Sequence, residues 1–355
     1  HLLFLTAVTL CLARWLAGGS DRWLLAGLAL YAASFGHHLG TALALPGVAW
    51  LLWRGRDRAL RPRVVAWAAV FAVLAAAQYA YLVRMTAVGA YVEQPVHTVG
   101  DIAEMVTGGR FRRQMFTFGP GELVRDRLPL FGRLLRRELG VLLVLAAYGT
   151  VQALRGTQGH RRAVAVHLGL LGVVAAVYAM NFDVPDVFVF FLPCYLVLAV
   201  FLGVGLDRLA GRVPAGGWRW PVAAGLALVP LVTGLVNYPD ASQRGNVGDA
   251  HRIERAIDAA GTEAVLITDN YADTEYAWYY LLGEGLREER GLELGHMLTP
   301  RQVVAFFARG RGPLARIADA GTPVYTATPH QAETLAAAGL TVTPVAEDVW
   351  RVSAA

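Results

Sequence analysis

Twenty residues from Val187 to Leu206 pass without a charge, and similar apolar runs recur along the first two thirds of the chain. About 20 apolar residues in a helix cover a bilayer core roughly 30 Å thick. The pattern therefore predicts membrane spans over 2–17, 23–53, 64–83, 138–154, 163–181, 187–206 and 219–237, about seven in all. The second stretch is too long for one crossing. Gly36, His37, His38, Gly40 and Pro46 interrupt it, which predicts a kinked helix or two short ones.

Between these runs the polar positions are mostly arginine. Arg54, Arg56, Arg58, Arg61 and Arg63 follow the second run, Arg155, Arg161 and Arg162 fill a later loop, and Arg208, Arg212 and Arg219 the next. Positive residues favour the cytoplasmic side, which places 84–137, 182–186 and everything after 237 outside. The loop 84–137 carries apolar residues at helical spacing over Val99–Val106 and Leu123–Leu135, with Arg on the opposite side. Basic amphipathic helices of this kind lie in the membrane interface.

From Tyr238 the pattern becomes that of a water-soluble domain. Strands are predicted at 264–268, 323–327, 340–345 and 349–352, and helices at 276–288, 301–320 and 331–338. Such alternation predicts a small α/β domain. The fold class expected is thus an α-helical polytopic membrane domain over 1–237, with an outer interfacial loop at 84–137, followed by an α/β domain over 238–355 outside the cytoplasm.

Composition sharpens this picture. Hydrophobic residues make up 55% of the chain and charged residues 17%, below the roughly 25% charge of soluble domains. All 32 basic residues are Arg, and with the Ala, Leu, Val and Gly richness this fits a GC-rich bacterial genome and an inner-membrane location. The net charge of +5 is read as topology and phosphate contact, with no nucleic-acid partner. Cys11 and Cys194 fall inside apolar runs as packed thiols, without metal spacing. No G-x-G-x-x-G follows a strand and no P-loop is present, so no nucleotide, cofactor or metal is predicted. The chain opens on His1 in mid-helix and reads as a fragment.

Several residues have chemistry to offer. His37 and His38 are polar in an apolar run, either satisfied within a helix bundle or facing a cavity. Asp183 and Asp186 stand before the Val187 run; they would cap the next helix, or face a water-filled cavity as hydrogen-bond acceptors. Arg110, Arg112 and Arg113, beside Phe111 and ahead of Phe116, suit anionic lipid headgroups or, in bidentate geometry, the phosphate of a lipid-linked donor. In the tail, Asp269, Asn270, Asp273 and Glu275 follow a strand end, where α/β sheets often bind ligands. Trp278 and Tyr279 beside them offer aromatic faces for packing or for sugar rings.

In their order along the chain, several short motifs resemble one bacterial multispanning family of unknown function that is related to protein O-mannosyltransferases. That family has an animal member which O-mannosylates receptor ectodomains. The motifs are Gly36-His37-His38-Leu39 with Pro46, Gln94-Pro95 ahead of Val106-Thr107-Gly108 and Phe111-Arg112, Asp183 and Asp186 before Phe190-Phe191-Leu192-Pro193, and Asp269 before Trp278-Tyr279 and Glu284-Gly285. The resemblance covers nearly the whole chain. It implies a GT-C type glycosyltransferase that uses a polyprenyl-phosphate sugar, with its acidic catalytic base in a first outer loop upstream of His1. His38 stands at the family's recurrent His position and His37 where Asn is more frequent, which counts against a catalytic role for His37.

The resulting expectation is a membrane glycosyltransferase moving a sugar from a lipid-linked donor to an extracytoplasmic protein or glycan. Donor-side candidates are His37, His38, Asp183, Asp186, Arg110, Arg112 and Arg113, and acceptor-side candidates are Asp269, Asn270, Trp278 and Tyr279. The alternatives are a flippase or transporter of lipid-linked sugars, which would use the same Arg and His without bond breaking, and a membrane scaffold presenting the tail domain.

Overall fold

The computed structural model describes residues 1–88, 96–112, 114–184, 187–212, 219–242, 244–245 and 247–355. Its contacts divide the chain into two compact units, His1–Asp240 and Ala241–Ala355, where the sequence predicts a boundary after 237.

The first unit is helical. Its helices are α1 (Leu2–Leu16), α2 (Asp21–Ser34), α3 (Leu45–Arg54), α4 (Pro62–Ala77), α5 (Ala80–Ala87), α6 (Val99–Val106), α7 (Leu128–Leu139), α8 (Leu142–Arg155), α9 (Gly159–Met180), α10 (Leu192–Ala210) and α11 (Arg219–Ala241). Three stretches among the described residues are long and apolar enough to cross a membrane: Pro62–Ala87, Gly159–Met180 and Val187–Ala210. Leu2–Leu16, Leu39–Arg54, Leu142–Arg155 and, within α11, Leu228–Pro239 are shorter apolar stretches of 10–17 residues. At 1.5 Å per residue these reach only about 15–26 Å, short of a full apolar crossing. The reason is local: Gly18-Gly19, the His37-His38 break, Gly140 and Gly156 each end a helix before it reaches spanning length.

The predicted break in 23–53 is present, as α2 stops at Ser34 and a 3-10 turn, Leu39–Ala44, leads into α3. The Val187 run also departs from a single α-helix. It opens as a 3-10 turn, Val187–Phe191, and becomes α-helical at Leu192, with Pro193 in its first turn, where no backbone donor is needed.

The core of this unit is built from Leu12, Trp15, Leu24, Leu51 and Leu171, all essentially inaccessible. At one end Arg58 closes the α1–α2 turn. Its guanidinium donates to Asp21 Oδ1 from Nε (2.9 Å) and Nη2 (2.6 Å), and to the carbonyls of Trp15 (3.2 Å) and Gly19 (2.5 Å). The same group lies over the Trp15 ring, 5.5 Å from its centroid. Hydrogen bonding to Arg58 holds the Asp21 carboxyl below its ordinary range. That stabilisation is present above the unfolded carboxylate value of about 3.9 and is lost as pH falls through the lower folded value. Arg58→Met is expected to lower the unfolding temperature by a few degrees at neutral pH, with the difference from wild type shrinking below about pH 4. Detergent-solubilised thermal melts across pH check this.

The second unit is an α/β domain. Helix α12 (Gly248–Ala260) precedes β1 (Val265–Ile267), and α13 (Tyr271–Trp278) precedes β2 (Glu293–Gly295). Then follow α14 (Pro300–Arg309), β3 (Val324–Thr326), α15 (Pro329–Ala337), β4 (Thr341–Ala346) and β5 (Val349–Ser353). The sheet order is β2-β1-β3-β5-β4. β1 runs parallel to both β2 and β3, while β5 is antiparallel to β3 and to β4.

Strand side chains alternate between faces, and the two cores follow that alternation. Leu266, Tyr325 and Val349 pack with Ile253 and Ile257 of α12 and Ala277 of α13. Val265, Ile267, Val324 and Val352 pack instead with Val303 and Phe306 of α14 and Leu335 of α15. The sheet is thus covered on both sides.

Two expectations for this unit need correction, and two elements were missed. A single helix over 301–320 is instead α14 followed by a 3-10 turn, Pro313–Arg316, because Gly310 and Gly312 take positive φ (57° and 102°) and end the helix. The helix predicted over 276–288 begins earlier, at Tyr271, widens into a π-turn at Tyr279–Gly283 and stops before Gly285 (φ 79°). Strand β2 and helix α12 were not anticipated from the hydrophobic pattern at all.

Candidate functional site

Four of the donor-side candidates, His37, His38, Arg112 and Asp183, lie at one end of the helical unit. There the loop that precedes α7 is fastened to the turn that follows α9. Met115 and Phe182 form an antiparallel bridge; Phe116 N–H donates to Asn181 O (2.7 Å) and Asp183 N–H to Gln114 O (2.8 Å). The Phe111 ring meets Phe182 edge-on at 6.3 Å. Arg127 completes the attachment, donating to the carbonyls of Ala179 (3.3 Å), Met180 (3.0 Å) and Phe182 (2.8 Å). These carbonyls lie at and just past a helix C-terminus, where a cation is favoured. Its guanidinium also stacks on Phe118 at 4.4 Å. Sequence reasoning grouped Arg127 with the general basic character of the loop; only its partners single it out.

The same end holds the His37-His38 break. Leu43 of the 3-10 turn, Leu130, Phe131 and Leu134 of α7, and Val184 pack into one apolar cluster around Phe191, Val187 and Ala179. Helix α7 thus lays its apolar side inward and leaves Arg133, Arg136 and Arg137 exposed, in the amphipathic arrangement expected of the loop.

His37 and His38 are exposed at the helix break rather than enclosed within a bundle. His38 Nδ1 accepts the Gly40 N–H at 2.9 Å and caps the 3-10 turn. The His1 and His38 rings stack at 4.7 Å, and the His1 ammonium lies 2.8 Å from His37 Nε2. Asp183 is exposed and is positioned through its backbone rather than by capping the Leu192 helix, whose N-cap is Phe191. Arg112 is also exposed, next to Phe111, and makes no ion pair among the described residues. Asp186, Arg113, the Gln94-Pro95 pair and the Arg110 side chain lie outside the described residues.

Beside this end, an apolar cavity of about 340 Å³ opens between α2 and α4. Leu28, Tyr31 and Phe35 form one wall, Phe71 and Tyr79 the other, and Val106 of α6 also lines it. Tyr79 Oη donates to Phe35 O (3.1 Å) and Gln78 Nε2 to Ala32 O (3.1 Å), fixing the two walls.

A second polar constellation lies in the α/β unit, at the carboxyl ends of the parallel strands. Asp273 is fully buried and forms an ion pair with Arg252. It also accepts hydrogen bonds from Asn270 Nδ2 (2.8 Å) and Thr328 Oγ1 (2.5 Å). Asn270 Oδ1 in turn caps α13 by accepting the Asp273 N–H (2.9 Å). Thr268 and Thr274 hydroxyls meet at 2.6 Å, and Thr326 Oγ1 donates to Gln331 Oε1 at 2.6 Å. This buried network ties β1, β3, α12, α13 and α15 together.

Asp269 sits just outside the network, half-buried. Burial pushes its carboxyl above the ordinary range; the Asn270 amide and His330 pull it back, and Asp273 adds to the rise. Ionised Asp269 therefore costs folding free energy at neutral pH, a cost absent below the unfolded value of about 3.9. Trp278 packs against His296 with ring centroids 5.8 Å apart. Tyr279 is turned to its own π-turn, its hydroxyl donating to Glu284 Oε1 at 2.6 Å. Arg252, His296 and His330 escaped the sequence reading because their partners are distant in the chain.

Among the described residues no group of three or more His, Cys, Asp or Glu side chains could hold a metal ion. Both cysteines are buried and free. In comparisons with protein-family models, with curated proteins and with solved structures, nothing matched this chain.

Proposed function

We propose that the chain is part of a membrane glycosyltransferase that takes a sugar from a polyprenyl-phosphate donor and passes it to an extracytoplasmic protein or glycan. The observation that carries this reading is the arrangement around the outer loop. Val106 of helix α6 lines an apolar cavity between α2 and α4, and the chain continues directly into the Phe111-Arg112 segment that packs on Phe182. An apolar chain ending in a phosphate has these two requirements together: a greasy groove and a nearby guanidinium.

In this reading Arg112, with Arg110 and Arg113, binds the donor phosphate and stabilises the negative charge that grows on it as the sugar departs. Asp183 and His38 sit at the same end as hydrogen-bond partners for the sugar. The finer topology, with about seven spans in a bacterial inner membrane and the α/β unit outside, belongs to the same proposal. So does kinship with the family related to protein O-mannosyltransferases.

Arg112→Gln in the full-length protein tests it, with donor affinity, transfer rate and thermal stability measured together. A charge-assisted hydrogen bond contributes about 1.5–3 kcal/mol, so donor affinity is expected to fall roughly ten- to hundredfold while stability stays unchanged. Unchanged affinity would return Arg112 to contact with lipid headgroups. Donor binding without transfer would instead favour a flippase or transporter.

A further inference from the structure

The carboxyl ends of β1, β2 and β3 point the same way, since all three strands are parallel. Neighbouring strands lie about 4.8 Å apart, so the three ends fall within roughly 10 Å. β1 is the point where the strand order reverses, because the chain moves from β1 to β2 on one side and then to β3 on the other. Crevices at such reversals are where open α/β sheets bind ligands.

Each strand end carries a polar side chain suited to chemistry: Asp269 after β1, His296 after β2 and His330 after β3. The loop after β2 is held in an unusual conformation. Met297 takes φ 52°, and Leu298 N–H donates to Thr268 O at 2.9 Å, which brings this loop against the end of β1. Strain of that kind at a non-glycine residue persists only where its surroundings impose it. Beneath the edge, Asp273 is held by Arg252, Asn270 and Thr328 and acts as a floor. Asp269 stands above it with one weak partner, the Asn270 amide at 3.3 Å.

We propose that this edge binds a hydroxyl-rich ligand, a saccharide of one or two rings, with Asp269 accepting hydroxyl hydrogen bonds and His330 and His296 flanking the ring. The chemistry excludes the other classes. Asp269 and Asp273 together would repel a phosphate or carboxylate. The His and Asp side chains form no cluster able to hold a metal among the described residues. An apolar ligand would cover Asp269 and leave its carboxylate with no better acceptor role than the 3.3 Å contact to Asn270. A neutral polyol satisfies the carboxylate, and its apolar ring face suits imidazole and indole edges.

The inference supplies the acceptor-side ligand class of the proposed transfer reaction and rests on that reading only for this role; binding itself needs no donor. The full chain in nanodiscs free of maltoside detergent is probed by saturation-transfer NMR. The ligands are methyl α-mannopyranoside, methyl β-glucopyranoside and a mannobiose, with no donor present. Binding at about millimolar Kd is expected. Asp269→Asn should weaken it at least about tenfold, while its melting temperature at neutral pH stays equal or rises, since an unfavourable buried charge is removed. His330→Ala, at an exposed position, should weaken binding without affecting the fold.

No saturation transfer from any of the three glycosides would overturn the proposal, as would equal affinity in both variants. Binding of inorganic phosphate instead, lost in the same variants, would overturn it too. Loss of glycoside binding with Arg112-dependent donor affinity intact sinks only this inference; the converse result sinks only the donor reading.

Discussion

Gly149→Ala is expected to destabilise the helical unit by more than any other single methyl group added to it. A Cβ at Gly149 would lie 1.8 Å from Phe201 O and 2.7 Å from Gly205 N. Across the contact, a Cβ at Gly205 would lie 2.4 Å from Leu145 O. Helices α8 and α10 therefore meet backbone to backbone, the close approach that small residues permit in membrane helix packing. The obstructing atoms are main-chain carbonyl and amide, which cannot swing away as a side chain would. The helices must separate along the contact. Overpacking costs about 1–3 kcal/mol, and more where backbone moves, so a fall in unfolding temperature and a loss of monodisperse protein are expected. Gly203→Ala, on the same helix, is the control. Nothing lies within 4 Å of its added Cβ, and alanine there should be neutral or slightly stabilising, by up to about 1 kcal/mol. Equal behaviour of the two variants in thermal melts would mean that α8 and α10 do not pack this closely.

The second large effect belongs to the α/β unit. Asp273→Ala removes a fully buried carboxylate and strands three donors at once: Arg252, Asn270 Nδ2 and Thr328 Oγ1. Breaking a buried ion pair from one side costs about 3–5 kcal/mol. Arg252 retains Asp249 at 3.0 Å, so the loss is expected near the lower end, about 3 kcal/mol. That is a large share of the roughly 5–15 kcal/mol that holds a typical domain. The double variant Asp273→Ala with Arg252→Met should lose less than the two single losses added together, because each single change leaves the other partner uncompensated. Protease protection of the segment after Ala241 in the full chain, followed through urea, would read this. Additive losses would show that the pair is not coupled.

Much of the helical unit was legible in the chain. Apolar runs mark helices because a buried or lipid-facing helix has few other ways to satisfy its backbone, and the Gly36–Gly40 interruption located a real break. The amphipathic pattern of Leu123–Leu135 likewise foretold a helix with one apolar side; it forms as a π-turn at Leu123–Arg127 followed by α7, which packs on Phe191. The number of full-length crossings was not legible. Apolar composition continues through glycine-rich positions where the helix itself stops, so run length overestimates helix length. Strand β2, Glu293–Gly295, has three residues and one charge at the sheet edge, too short for a period-two pattern to emerge. Helix α12 buries Ile253, Ala256, Ile257 and Ala260 at helical spacing, a signal that was present but masked by surrounding charge.

The candidate sites divide in the same way. Asp269 and Asn270 were visible because they directly follow an apolar strand, and Arg112 because arginines cluster around phenylalanine. Those properties are local, and local pattern is what one sequence determines by itself: apolar helices, an α/β tail, and the residues that stand at element ends. Partnership is not local. Arg127 reaches carbonyls more than 50 residues ahead, Arg252 finds Asp273 across 21 residues, and Gly149 matters only because Gly205 faces it. Each depends on two elements docking in one register, and the free energy that selects that register comes from the packed cores rather than from either residue. Tertiary structure alone therefore decided which arginines hold the fold together and which, like Arg112, remain exposed.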